Sequence, residues 1–321
     1  QLKPDEAALY VQLGGLLARA GRDDEVLAAL RDGLQRAGKK EVILLHIYYS
    51  AVKLVTAGDL ERGLLLLELV EDQPAMQQAD FFTLMAEIHQ ALGHTDRYEA
   101  YLRHAVATDP TKPDPALRLI AALYRTDAAA AARLLDETAQ RFPNHPSVLF
   151  SVGVVHAIDG RLADAMTAFD RAETAFAANT NHPGRVLSSG FYLQYGAVCE
   201  RAGDLPRAGA VFERGLAAHP DDHEMLNYAA YMWADANTNL SRSVTCIQRA
   251  LELDPGNPAY LDTLGWAYYR LGRHAEALRE IQQALARLPD DPVILDHLGD
   301  VLKALGKPDE ACRYWARSFS K

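Results

Sequence analysis

Cysteine, net positive charge and long apolar runs are all scarce in this chain of 321 residues. The three cysteines, Cys199, Cys246 and Cys312, are far apart and form no Cys-x-x-Cys pair. This excludes a disulfide framework or a structural zinc cluster as the organising principle of the fold. With 43 acidic and 33 basic side chains the net charge is −10, so a nucleic-acid partner, which needs clustered Lys and Arg, is not expected. No apolar run approaches the roughly 18 residues of a membrane-spanning helix.

Signals for β-strands and for catalysis are also missing. The sequence has no Asn-Gly hairpin, no sustained alternation of period two and no Gly-x-Ser-x-Gly motif. The segment 33–40 imitates a phosphate-binding loop, but Lys40 stands where Ser or Thr would hold magnesium. The cluster of His219, His223 and Glu224 fits no zinc-protease spacing and is typical of a solvated turn. We therefore expect no catalytic residue, no cofactor and no metal site.

A repeat with a spacing of 34 residues is present instead. Residues 261–268 have the pattern Leu-x-x-Leu-Gly-x-x-Tyr, and residues 295–302 have the pattern Leu-x-x-Leu-Gly-x-x-Leu. Nine copies start near residues 7, 44, 79, 114, 146, 189, 224, 258 and 292. Apolar residues in each copy recur at i, i+3, i+4 and i+7, which predicts two amphipathic helices per copy. No copy can bury its apolar face alone, so we expect neighbouring copies to stack.

Small residues occur at two kinds of position in the repeat. Gly203, Gly272 and Gly306 lie in the middle of their copies, where a left-handed residue is expected to end the first helix. Gly or Ala at the eighth and twentieth positions is expected to let the paired helices approach closely. The copy starting near residue 224 departs from this pattern, because Tyr231 stands in place of the small residue.

Together these marks resemble the tetratricopeptide repeat (TPR) family over almost the whole chain. The resemblance implies an all-α fold, a right-handed α-solenoid of about nine helix-turn-helix repeats. It also implies a non-catalytic scaffold or adaptor that binds a partner polypeptide in the concave groove lined by the first helices. We predict an N-terminal array at 1–174, an inserted loop or helix extension at 175–188, and a C-terminal array at 189–321, forming one continuous superhelix. The insertion is interpreted as a long helix end plus loop, with a hinge between two sub-arrays as the alternative.

Carrying the groove positions of the family over to this chain gives a candidate binding surface in the last three repeats. Its members are Tyr228, Met232, Asp262, Trp266, Tyr269, Asp296 and Asp300. Aromatic and Met side chains supply adaptable contact area, and carboxylates favour Lys or Arg on the partner. A protein or peptide of basic and apolar character is therefore expected. The alternative is that Trp266 and Tyr228 pack between helices as ordinary core.

The last hundred residues are similar to bacterial envelope TPR proteins, on the stretches 226–235, 260–266 and 291–300. Many such proteins are lipid-anchored lipoproteins that act as adaptors or assembly scaffolds, and some deliver substrates to a periplasmic protease. The resemblance implies a periplasmic or membrane-anchored location. Alternatives remain open: a structural component that self-assembles through uncapped ends into a homo-oligomer, or the TPR region of a polysaccharide-secretion or larger enzyme system.

Overall fold

The computed structural model describes residues 7–178 and 186–320, and over these residues the chain is helical without a strand. The α-helices are α1 (Ala7–Arg19), α2 (Asp23–Arg36), α3 (Lys40–Thr56), α4 (Leu60–Glu68), α5 (Ala79–Ala91), α6 (Thr95–Thr108), α7 (Pro113–Thr126), α8 (Ala128–Arg141), α9 (Pro146–Ile158), α10 (Leu162–Ala178), α11 (Ser189–Arg201), α12 (Leu205–Ala218), α13 (His223–Asp235), α14 (Leu240–Leu253), α15 (Pro258–Arg270), α16 (His274–Arg287), α17 (Pro292–Ala304) and α18 (Pro308–Phe319). A single 3-10 turn, Pro74–Met76, follows α4 in the described part of the chain.

Consecutive helices pack in pairs, from α1 with α2 to α17 with α18. The first helix of each pair begins at or close to the start of a predicted copy, so the repeat spacing is reproduced along the described chain. Within α1–α8, and again within α9–α18, each pair then packs on the next one. These features confirm the predicted all-α solenoid of helix-turn-helix repeats.

The chain divides into two compact units, Gln1–Pro143 and Asn144–Lys321. The arrays at 1–174 and 189–321 that the sequence suggests stay a prediction. Within the second unit, Phe169 of α10 lies 5.9 Å from Phe191 and 5.3 Å from Tyr195 between ring centres, so the copies on either side of the insertion are in contact. The first part of the insertion, residues 175–178, continues α10 to a length of 17 residues. Residues 179–185 lie outside the described residues.

The turns inside the repeats follow the predicted glycine rule. Gly203, Gly272 and Gly306 have φ values of 79°, 75° and 77°, a region that glycine enters without the steric cost of a Cβ. The turn between α13 and α14 has no glycine, and Asn237 and Asn239 take positive φ values there, 53° and 45°. Asparagine tolerates this conformation better than other residues with a Cβ.

Glycine also sets the distance between paired helices. A Cβ built on Gly153 of α9 would lie 2.7 Å from Cε1 of Phe169, a fully buried ring of the partner helix α10. Gly196 is covered in the same way by the buried ring of Phe212. The aromatic side chain of the second helix therefore occupies the space that a side chain on the first helix would need.

Membrane insertion has no support from the helices of residues 7–178 and 186–320, since none of them combines the necessary length with sufficient apolar character.

We predict opposite effects for the same substitution at two helical glycines. Gly153→Ala should destabilise the protein by about 1–3 kcal/mol, because the new methyl overlaps a ring that cannot move away. Gly15→Ala, in α1, meets no atom within 4 Å and should stabilise by about 0.5–1 kcal/mol through helix propensity and reduced chain entropy. Urea unfolding followed by circular dichroism measures both. Equal effects would contradict the role of glycine in helix approach.

Candidate partner-binding site

Four rings from the first helices of the last three repeats form an aromatic layer, made of Tyr231, Trp266, Tyr269 and His297. The Trp266 ring stacks on His297 with centroids 4.2 Å apart and planes 13° apart, and on Tyr269 at 4.9 Å and 21°. Tyr231 lies 6.3 Å from His297. Trp266 is only 6% exposed, so most of its area is already used inside the protein.

A buried acid–imidazole pair holds this layer in place. Nδ1 of His297 lies 2.9 and 3.0 Å from the two carboxylate oxygens of Asp262, and both side chains are buried. Burying a carboxylate is costly unless it is hydrogen-bonded, and His297 supplies that bond. The structure thus places Asp262, a predicted groove residue, beneath the surface, where it supports His297 and, through stacking, Trp266.

Two other predicted residues pack in or against the core of the C-terminal unit. Met232 is 2% exposed and belongs to the core of the C-terminal unit. Tyr228 is half-buried, its ring lies 5.4 Å from that of Phe212, and its hydroxyl donates to Oε2 of Glu200 at 2.7 Å. Burial and the carboxylate of Glu200 raise the pKa of Tyr228, so it remains a neutral donor at physiological pH.

The accessible carboxylates are on α17. Asp296 is exposed and Asp300, one helical turn later, is half-buried; we call these two residues the acidic patch. Burial and the charge of Asp296 raise the pKa of Asp300, although His297, Lys303 and a hydrogen bond from Trp315 partly oppose the rise. Asp300 in turn contributes to a raised pKa of Tyr269, after burial, which places the acidic patch beside the aromatic layer.

Several buried polar atoms near the layer lack a hydrogen-bond partner among the described residues. They are Nε1 of Trp266, Nε of Arg270, Nδ1 of His274 and Oδ1 of Asn227. The guanidinium of Arg270 lies 5.6 Å from the Trp266 ring and donates through Nη2 to the Asp235 carbonyl at 2.9 Å. Buried polar atoms are normally satisfied, so these atoms are positions where water or a bound partner can complete a hydrogen bond.

Two buried cysteines and the histidines of the 219–223 turn could in principle serve catalysis or metal binding, but each is packed or hydrogen-bonded to a different group. Burial raises the pKa of Cys199 and that of Cys246 to about 11, which disfavours the reactive thiolate. His219 bonds the Leu187 carbonyl, whereas His223 bonds the Tyr260 hydroxyl. Over the ranges 7–178 and 186–320, His, Cys, Asp and Glu side chains do not gather in threes as a metal ion would need.

The structure therefore brings Asp262, Trp266, Tyr269 and the acidic patch together, while Met232 belongs to the core of the C-terminal unit and Tyr228 packs against it. His297 lies at one of the groove positions carried over from the family, whereas Tyr231 does not and was not selected as a member of the site. One signal was available for Tyr231, since a large ring occupies a position where the other copies carry a small residue.

The comparisons with known proteins agree on one protein family. The profile described as Tetratricopeptide repeat matches residues 51–320. The TPR repeat-containing protein PA4667 of Pseudomonas aeruginosa is 32% identical over 164 residues, which make up 50% of this chain and 27% of that protein. The chain thus spans about a quarter of the length of this curated relative.

Solved structures resemble the chain in fold. YrrB, described as a TPR protein with an unusual peptide-binding site, aligns with a TM-score of 0.50 and 16% identity over 60% of this chain and 95% of its own. A crystal structure of the MamA protein aligns with a TM-score of 0.43 and 18% identity over 55% and 90%.

Removing the carboxylate of the buried pair should cost stability. We expect Asp262→Ala to destabilise the protein by about 2–4 kcal/mol, because His297 loses its buried partner. The double variant Asp262→Ala/His297→Ala should cost clearly less than the sum of the two single changes, as interacting residues do. Urea unfolding of the four proteins measures the coupling, and strict additivity would show that the pair contributes no joint stability.

Asp300→Asn should stabilise the protein at neutral pH. The charge of Asp300 is disfavoured by burial and by Asp296, whereas the amide carries no charge and keeps an oxygen for Trp315. Because the folded-state pKa of Asp300 is raised, the gain is present above that pKa. It shrinks as the pH falls through the folded-state pKa and is lost below the ordinary value of 3.8, where the carboxyl is protonated in both states. Unfolding of both proteins between about pH 4 and pH 7 tests this; a less stable variant at neutral pH would contradict it.

Proposed function

Because the chain belongs to the tetratricopeptide repeat family, we propose that it is a non-catalytic scaffold or adaptor that binds a partner polypeptide. The binding surface in this proposal is the acidic patch together with the exposed edge of the aromatic layer at Tyr269. Asp262 and Trp266 serve as its rigid support, since both are almost fully buried. Met232 acts as core. Peptide binding by the similarly folded YrrB makes the same kind of ligand a reasonable choice for this chain.

The observation that carries the proposal is the raised pKa of Asp300 beside Asp296. Two carboxylates one turn apart on α17 repel each other, and burial weakens the solvation of one of them. A Lys or Arg side chain from a partner would relieve both penalties on binding. The aromatic edge at Tyr269 adds a rigid apolar contact next to this charge. The surface therefore fits a partner segment that alternates basic and apolar residues.

We also propose a location in the bacterial envelope, periplasmic or membrane-anchored, supported by the similarity of the last hundred residues to envelope TPR proteins. Fractionation of cells that produce the native protein tests this, and recovery in the cytoplasmic fraction would oppose it. Self-assembly through the ends of the array and membership of a polysaccharide-secretion or larger enzyme system stay predictions.

The acidic patch should decide affinity for basic segments. We expect Asp296→Lys/Asp300→Lys to weaken binding of a synthetic peptide with alternating Lys and Leu by roughly tenfold or more, since attraction becomes repulsion at two positions. Isothermal titration at low ionic strength measures the change, because salt screens such contacts.

A matched variant separates this effect from net charge. Asp136→Lys/Asp164→Lys makes the same change in charge at two exposed positions of α8 and α10, and its affinity for the peptide should equal that of the wild type. If both double variants lose affinity to the same extent, the attraction is a property of the whole chain and the proposed surface is wrong.

A further inference from the structure

The N-terminal unit contains a groove between two second helices, α2 and α4. Helix α4 ends at Glu68 after 9 residues, whereas α2 has 14. The chain then turns into the 3-10 segment Pro74–Met76. The last turns of α2 therefore face a cavity of about 570 Å³, lined among others by Arg31, Gln35, Lys40 and Gln73.

A second cavity of about 360 Å³ adjoins the first, and Leu27 and Leu65 line both. Its wall is mainly apolar because α1 contributes only Gly14, Gly15 and Ala18, which leave space in front of the leucines of α2 and α4. Leu65 is 47% exposed between the two cavities. We call the two cavities together the N-terminal groove. Cavities of this size and lining are typical of ligand sites.

The charge at the rim of this groove is positive. Asp23 and Arg62 neutralise each other in an ion pair of 2.5 Å. Arg31, Lys40 and Lys53 make no ion pair with any described residue, and all three are exposed. Glu68 opposes them with one negative charge in the first cavity. In a protein of net charge −10, this basic rim around apolar space is a local exception.

We propose that the N-terminal groove binds an acidic polypeptide segment with large apolar anchors. An anchor side chain fills the apolar cavity beside Leu65, and carboxylates of the segment lie near Arg31 and Lys40. The amides of Gln35 and Gln73 are suited to the main chain of the segment, since each both donates and accepts. The proposal rests on the scaffold role, but it assigns a separate site with a charge preference opposite to that of the acidic patch.

The openness of the groove favours a polypeptide over a free fatty acid. A buried acyl chain needs an enclosed apolar tunnel along its length, whereas here the apolar cavity opens beside Leu65 into a polar one. A polypeptide can place one side chain in the apolar cavity while its main chain remains hydrated, as anchor residues do at protein interfaces.

The test uses the full chain and a fluorescein-labelled synthetic peptide in which Glu and Leu alternate, so that its main chain is free to bond Gln35 and Gln73. Fluorescence anisotropy at low salt should show binding to the wild type. Arg31→Glu/Lys40→Glu should weaken it by roughly tenfold or more, because two attractive contacts become repulsive. Leu65→Asn should weaken it by roughly fivefold through loss of the apolar contact. All three positions are exposed, so circular dichroism should show unchanged helix content.

Two control variants isolate the site. Arg125→Glu/Arg133→Glu makes the same charge change at exposed positions of α7 and α8 and should leave affinity unchanged. Asp296→Lys/Asp300→Lys should not weaken binding of the acidic peptide, so failure of the acidic patch and failure of the N-terminal groove give different results.

Four outcomes would overturn the proposal. They are no binding by the wild type, equal binding of a peptide with Lys in place of Glu, no loss in Arg31→Glu/Lys40→Glu, and displacement of the peptide by dodecanoate. The last result would assign the groove to anionic amphiphiles.

Discussion

The close approach of paired helices over glycine is the constraint on which the rest of the structure depends. Gly153 and Gly196 carry no side chain, so the rings of Phe169 and Phe212 come close to the backbone of the preceding helix. Each pair then presents an apolar face that only the next pair can cover. This close packing over glycine fixes the position of each first helix. It therefore also fixes the positions of the side chains on the free face of that helix.

Burial separates the candidate binding residues of the C-terminal unit into buried side chains that stabilise the site and exposed side chains that a partner could contact. Asp262 and His297 satisfy each other inside the protein, and their bond holds the ring that stacks on Trp266. Rigid rings bind at low entropic cost because they lose little freedom on association. On the proposed surface the negative charge comes instead from Asp296 and Asp300, and His297 and Lys303 only partly offset the burial and repulsion that act on Asp300. In this proposal, stability and recognition depend on different carboxylates on neighbouring helices.

The sequence was sufficient for the helices and their pairing, because periodicity, turn glycines and the 34-residue spacing are local signals. It did not indicate the contact of Phe169 with Phe191 and Tyr195, because the insertion separates these residues along the chain. It was also insufficient for the exposure of Trp266 and Asp262, since both are covered by His297 from the following repeat. The early end of α4 had no clear local signal either, since apolar residues continue through Leu69 and Val70.

The cysteines provide a view of motion in the array. Cys199 and Cys246 are buried in adjacent repeats of the C-terminal unit, whereas Cys312 is exposed near its end. A thiol reagent can modify Cys199 and Cys246 only when their repeats open, whereas the exposed Cys312 reacts without any opening. The labelling rate of Cys312 is therefore a reference for the rates of the two buried cysteines, which report local opening of their repeats. Their relative labelling rates would reveal whether neighbouring repeats separate together or one at a time.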